Sequence, residues 1–150
     1  MNSRWTPYVL CAMTLFASPP ALSAGEPEPG LWQFSADLSI PSAPGFNQQS
    51  VSINQCLRAS DVQDPSRVLT GIATPGASGC TFSNKRESAG HTDFSVQCEG
   101  LFALSGTGSV NYSPSSMDGQ LNVSFGGGGG ATLPRVESVS RIKATRLGGC

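Results

Sequence analysis

Residues 80–98 read CTFSNKRESAGHTDFSVQC, two stretches of alternating side chains on either side of a polar centre. Folding this segment about Ala89 brings Cys80 opposite Cys98, on one face of the pair, because side chains along a strand alternate with period two. Directly opposed residues of an antiparallel pair lie within disulfide reach. The segment therefore predicts a β-hairpin closed by a Cys80–Cys98 disulfide. The same register pairs Phe82 with Val96 and Asn84 with Phe94.

The residues before this hairpin predict two more strands. Apolar side chains occupy every second position over residues 32–40, which is the pattern of a half-buried strand. A segment rich in proline, residues 41–45, ends that strand. The next strand is expected over about residues 49–57, with Val51 and Ile53 directed inward.

A short helix is predicted between the second strand and the hairpin. Residues 60–63 have the form of a capping box, and Asp64 followed by Pro65 offers a second helix start. Because proline disfavours a helical conformation at the preceding residue, the helix is expected in one or two pieces.

Three strands are expected after the hairpin. They run over about residues 102–112, 119–125 and 133–146. In the hairpin formed by the first two, Gly106 is expected opposite Phe125 and Gly108 opposite Val123. Glycines at these positions let a sheet bend sharply or leave room for bulky neighbours.

The whole pattern predicts an all-β, mainly antiparallel fold of about seven strands with one short helix. A curved meander sheet or a small barrel is the simplest closure for strands in sequential order. A two-sheet β-sandwich is the alternative.

The first 24 residues have the features of a secretory signal peptide. Arg4 supplies a positive n-region, an apolar stretch follows over residues 8–17, and small residues surround the expected cleavage site near residue 24. The apolar stretch is shorter than the roughly 20 residues that span a bilayer. The expected organisation is a signal peptide at 1–24 and a single disulfide-stapled β domain at 25–150, which is not membrane-spanning and is periplasmic or extracellular.

Four cysteines remain once the signal peptide, with Cys11, is removed. An even set of cysteines in an exported chain indicates disulfides. Because the hairpin pairs two of them, Cys56 is expected to pair with Cys150 by exclusion. No CxxC spacing is present, so no metal site is predicted at these cysteines.

Several short segments of the chain resemble those of one known family, domain of unknown function 3617 (DUF3617). They are PGLW at 29–32, QCL at 55–57, the two central cysteines and RLGGC at 146–150. The likeness covers residues 29–150 and implies a bacterial envelope or secreted domain with cysteines at these places, without an assigned activity. Many members are rich in methionine, whereas here Met117 is the one methionine outside the signal peptide, so a thioether copper site is not predicted.

The sequence contains no recognisable catalytic constellation, and the protein is predicted not to be an enzyme. The single histidine, His91, is expected in a solvated hairpin turn, with Asp93 on the same exposed face. Nine basic residues against ten acidic ones give a net charge of −1, which argues against a nucleic-acid partner. The basic residues of the last strand, Arg141 and Lys143 among them, are interpreted as solvent-facing.

The aromatic residues are the remaining candidates for a binding site. Either they fill the core or they line a cavity for a small apolar ligand; the candidate lining residues are Trp32, Phe34, Phe102, Tyr112 and Phe125. The leading hypothesis is a non-enzymatic envelope protein that binds such a ligand or another envelope component, without a cofactor. The alternatives are a structural or stress-related envelope protein acting through a protein partner, and a hydrolase with an unrecognised site.

Overall fold

The computed structural model describes residues 25–45, 50–100, 103–126 and 135–150, which form seven strands and two short helices. The expected signal peptide at 1–24 lies outside these residues. The strands are β1 (Gly30–Ser39), β2 (Val51–Leu57), β3 (Ser78–Ser88), β4 (His91–Glu99), β5 (Leu104–Tyr112), β6 (Ser116–Phe125) and β7 (Val136–Gly148). The helices are α1 (Ala59–Val62) and α2 (Pro65–Ala73).

The seven strands form one antiparallel sheet in the order β2-β1-β7-β6-β5-β4-β3. This confirms the predicted antiparallel β fold. The sheet is not closed into a barrel, because β2 and β3 are its two edges and do not pair with each other. Strands that follow one another in the sequence are neighbours in the sheet, except β2 and β3, and β1 also pairs with β7. The opening therefore lies between β2 and β3, where the two helices are inserted.

The predicted helix is present in two pieces. The first begins after Arg58, whose backbone N–H donates to Asp61 Oδ2 at 2.8 Å, two residues earlier than the capping pattern at Ser60 suggested. The second begins after Asp64 with Pro65 in its first turn, as that residue pair predicted. The two pieces connect the edge strands of the sheet.

Helix α2 packs against the face of the sheet that carries the core, where it contacts β1, β4, β5, β6 and β7. The nine residues of α2 are about 13.5 Å long, whereas five strands of a flat sheet span about 19 Å. A helix of this length could not contact all five strands of a flat sheet, so the sheet curves around the helix. The shared core is apolar and includes Trp32, Phe34, Leu69, Phe94, Val110, Leu121 and Ile142.

The predicted register of the β3–β4 hairpin holds in its middle, from Thr81 to Ser83, and the register also shifts between Ser78 and Thr81. Phe82 pairs with Val96, but the register shifts by one residue beyond Ser83. The cause is a bulge at Asn84, which has a φ of 52°. The predicted pairing of Asn84 with Phe94 is therefore absent.

The predicted register of the β5–β6 hairpin is wrong by two residues. Gly106 pairs with Val123 and Gly108 with Leu121. Strand β6 begins at Ser116, three residues earlier than expected, because the turn closes tightly with the Ser113 N–H donating to the Ser116 oxygen at 2.8 Å. The expected role of the glycines is retained, since a Cβ at Gly108 would collide with the ring of Phe94.

The four cysteines of residues 25–150 lie in two pairs at disulfide distance, Cys56 with Cys150 and Cys80 with Cys98. These are the pairs that the sequence predicts. The first joins β2 to the end of β7 across β1, since Leu31 of β1 pairs with Cys56 on one side and Gly148 on the other. The second fastens β3 to β4. Both disulfides are compatible with an oxidising, exported location.

Candidate functional site

An apolar depression lies between α2 and the inner face of β1 and β2, and is called the α2 groove. It has a volume of about 400 Å³, within the range of small-molecule sites. Its sheet wall includes Phe34, Ala36, Leu38, Val51 and Ile53. Its opposite wall consists of Gly71, Ile72 and Ala73 of α2, and of Pro75 just beyond the helix.

The groove exists because α2 covers only part of the curved sheet. On one side of the helix, Leu69 is buried against the sheet beside Gly119. On the other side, Gly71 has no side chain to fill the space in front of β2, and a Cβ placed there would meet no atom within 4 Å. The inner face of β1 and β2 is therefore left accessible.

Val51 and Ile53 lie on the inner side of β2, opposite Ala36 and Phe34, as the sequence predicts. Although they face inward, they are not buried. Val51 is 50% exposed and Ile53 41% exposed, whereas Phe34 is 1% exposed. Their exposure follows from the open edge of the sheet, because no described strand and no part of α2 covers them. Two large apolar side chains consequently face an open groove.

A second apolar depression of about 260 Å³ adjoins the groove beyond Pro75. The two share Leu38, Ala73 and Pro75, and Phe125 lines the second. A ligand longer than the first depression can therefore extend along the end of α2. A more polar depression continues in the other direction, past Gln55 and Ile72.

The five aromatic residues predicted as candidate lining residues have different environments. Phe34 lines the groove and Phe125 lines the adjoining depression. Trp32 is fully buried in the core, and its indole Nε1 donates to the Glu28 oxygen at 3.0 Å. Tyr112 is partly buried against the core, and Phe102 lies outside the described residues. The sequence did not point to the small residues of α2 and to Pro75, which carry no chemical signature.

A charged cluster holds the start of α2 against the edge strand β3. Asp64 accepts hydrogen bonds from Lys85 Nζ at 2.8 Å, from Arg67 Nε at 3.1 Å and from the Ser66 hydroxyl. Partial burial raises the pKa of Asp64, but these bonds and the Lys85 charge outweigh it, and the net pKa is below the ordinary value. The Lys85 and Arg67 cations also lie 5.7 and 5.2 Å from the ring centroid of Phe82. The cluster is an ion pair that positions a helix.

His91 lies on the outer face of the sheet, away from the groove. Its Nδ1 is 2.7 Å from Asn111 Oδ1, and its Nε2 is 3.2 Å from Asp93 Oδ1. The hydrogen bond with Asn111 is the main reason that the pKa of His91 is raised, and Asp93 adds to it. Asp93 is on the same exposed face as predicted from its spacing. Arg141 and Lys143 are also exposed on the outer face.

Three of the segments that carry the family resemblance, residues 29–32, 55–57 and 146–150, meet at one corner of the sheet. Arg146 donates from Nε and from its terminal nitrogen to the backbone oxygen of Pro29, at 3.0 and 2.9 Å. Gly30 has a φ of 150°, and a Cβ there would collide with the oxygen of Gly148. The first strand and the last strand are thus fitted together at the Cys56–Cys150 disulfide.

Comparison with known protein families supports the family resemblance of these segments. The family described as Protein of unknown function (DUF3617) matches residues 27–150. This chain is a member of DUF3617. Comparison with curated proteins finds no match, and comparison with solved structures finds none either.

Two further observations on this DUF3617 member bear on its setting. In the described ranges, which begin at residue 25, no helix is long and apolar enough to cross a membrane. Within the same ranges, histidine, cysteine, aspartate and glutamate side chains do not gather in groups of three or more that a metal ion would need.

Proposed function

We propose that this DUF3617 member is an exported, non-enzymatic envelope protein, periplasmic or extracellular, that binds a small apolar ligand in the α2 groove. The observation that carries the proposal is the open groove itself, with its exposed Val51 and Ile53. Exposed apolar surface is costly in water, and a concave apolar surface of this volume is typical of a ligand site. The two disulfides support export.

The adjoining depression defines the shape of the ligand. A chain-like molecule extends from Ile53 past Pro75 towards Phe125, since the two depressions share a wall there. Gln55, on the same face of β2 as Val51 and Ile53, supplies a polar contact at the rim. The ligand class is therefore an amphipathic molecule with an extended hydrocarbon part.

The absence of catalysis is part of the proposal. Asp64 and His91 are the described residues with a shifted pKa. Asp64 is held by two cations at a helix start, and His91 lies on the exposed outer face. Neither has the arrangement of a general base beside an enclosed substrate position.

Substitution of Gly71 tests the ligand proposal without disturbing the core. Gly71→Leu places a side chain in the groove, where a Cβ has free space, and we expect the affinity for the neutral fluorophore N-phenyl-1-naphthylamine to fall at least about tenfold. Gly71→Ala is the matched control, because it makes the same backbone change and fills little of the groove. Fluorescence titration and native mass spectrometry of protein purified from the periplasm are the measurements. Equal binding by the leucine variant and the wild type would contradict the proposal.

An alternative is a structural or stress-related envelope protein that acts through a protein partner. The exposure of Val51 and Ile53 at a sheet edge favours it, since exposed apolar patches mark interaction sites. A protein partner retained through purification, with no small molecule released on denaturation, would support this alternative against the first.

A further inference from the structure

The two edges of the sheet differ in their fitness to pair with another strand. Strand β3 is interrupted by two register shifts and carries Lys85, Arg86 and Glu87. Bulges and charges of this kind protect an edge against pairing. Strand β2 has an unbroken register from Val51 to Leu57 and no charged residue over that length.

The β2 edge is also held rigidly in position. Cys56 ties it to Cys150 across β1, and the Ser50 hydroxyl hydrogen-bonds to Asp37 at its beginning. All residues of β2 except Leu57 are exposed. A pre-ordered strand loses little conformational freedom when it pairs, which favours association. Among the described strands, none occupies the outer side of β2.

We infer that β2 pairs with β2 of a second copy, antiparallel about a two-fold axis at Asn54, to give a continuous fourteen-stranded sheet. In this register Val51 lies opposite Leu57 of the second copy, and Ile53 opposite Gln55. Residues of the inner face meet inner-face residues, and those of the outer face meet outer-face residues. The uncharged strand brings no like charges together.

The flanking charges are complementary in the same arrangement. The two-fold axis places Arg58 of one copy opposite Ser50 of the other, and Ser50 contacts Asp37. Arg58 and Asp37 are both exposed, and the alternation of side chains along β1 places Asp37 on the outer face. Each end of the paired strands therefore brings a cation of one copy towards a carboxylate of the other. This favours a second copy over a charged peptide as the occupant.

The expected dimer is reversible. A contact confined to one strand from each copy belongs to the small interfaces, below about 1,200 Å² in total, which form transient complexes. Sedimentation velocity over a concentration series should therefore show a monomer–dimer equilibrium for the wild-type chain without its first 24 residues.

Substitutions at Asn54 test the pairing and its register. Asn54→Lys and Asn54→Asp each place like charges opposite each other at the axis, and each should raise the dimer dissociation constant by about fivefold. Mixing the two variants should restore association to the wild-type level or better, because only a residue on the axis meets its own counterpart. Ser83→Lys is the matched control, an exposed position on the β3 edge, and should dimerise as the wild type does.

Two results would overturn the inference. One is a wild-type protein that sediments as a monomer at every concentration up to about 1 mM. The other is a mixture of the lysine and aspartate variants that associates no better than either variant alone. Asn54 is outside the α2 groove, so binding of N-phenyl-1-naphthylamine by its variants reports separately on the proposed ligand site.

Discussion

At the scale of single residues, the side chain of Asp64 joins the helices to the sheet. Its carboxylate contacts Lys85 from β3 and Arg67 from α2, and its side chain is only 23% exposed. A partly buried carboxylate with two cationic partners is more strongly held than an ordinary surface ion pair, whose contribution is at most about 1 kcal/mol. This contact, together with Phe82, holds the start of α2 against β3.

Asp64→Asn tests this contact, because asparagine keeps the shape and removes the charge. The variant should lower the free energy of unfolding at pH 7 by about 1–2 kcal/mol, more than an exposed pair contributes. The folded-state pKa of Asp64 is lowered, so its contribution is present above the unfolded-state pKa, about 3.9, and is lost as the pH falls through the folded-state value. Urea unfolding at pH 7 and at pH 3 should therefore show a difference from the wild type that shrinks at pH 3. Glu137→Gln, at an exposed position of β7, is the control, and an equal effect of the two variants would contradict the prediction.

At the scale of elements, the position of α2 depends on a glycine in the sheet beneath it. A Cβ at Gly119 would lie 2.8 and 3.1 Å from the two methyl carbons of Leu69, and 2.6 Å from the backbone oxygen of Ser109. The bare backbone of β6 is what lets the helix approach. Because the helix is drawn towards β6 and its neighbours, the groove is left open on the β2 side.

Two glycine substitutions should have opposite effects on stability. Gly119→Ala should lower the free energy of unfolding by about 1–3 kcal/mol, the usual cost of overpacking a tight contact. Gly71→Ala should raise it by about 0.5–1 kcal/mol, because alanine favours the helix and the space there is free. Thermal and urea unfolding measure both. A Gly119→Ala protein as stable as the wild type would show that α2 is not held by this contact.

The same elements show how far the sequence could predict the fold. The 80–98 hairpin was predictable because its information is local: a short polar turn and two cysteines symmetric about it. The β5–β6 register was not, since the sequence pattern starts this strand at Gly119, whereas β6 begins at Ser116 and passes beneath Leu69 at Gly119. The exposure of Val51 and Ile53 depends on where a helix distant in space comes to rest. An alternating pattern specifies a face, and it does not specify whether that face is covered.

At the scale of the whole molecule, the sheet is held at its open side by covalent links as well as by packing. Strand β7 lies in the middle of the sheet, between β1 and β6, whereas β2 has one neighbour. The Cys56–Cys150 disulfide therefore fixes one of the two strands that have a single neighbour. The groove and the exposed edge both depend on that strand staying in place.

Removal of each disulfide should have unequal effects. The Cys56–Cys150 link spans 94 residues and the Cys80–Cys98 link spans 18. Chain entropy assigns about 5 kcal/mol to the first and about 3 kcal/mol to the second. The Cys56→Ser/Cys150→Ser variant should thus melt at a lower temperature than Cys80→Ser/Cys98→Ser and lose amide-exchange protection in β2 first. Calorimetry and hydrogen exchange are the measurements, and equal melting temperatures would contradict the chain-entropy argument.

The placement of β1 beside β7 also has a consequence for the order in which the chain oxidises. In a chain exported as proposed, Cys56 emerges from the translocation pore before Cys80 and Cys98. Its native partner, Cys150, emerges last, 94 residues after Cys56. An oxidant that acts on the emerging thiols in turn would join Cys56 to Cys80, a non-native bond that blocks both native disulfides. Productive maturation therefore requires that Cys56 stay reduced until the last strand arrives, or that a thiol isomerase exchange the early bond.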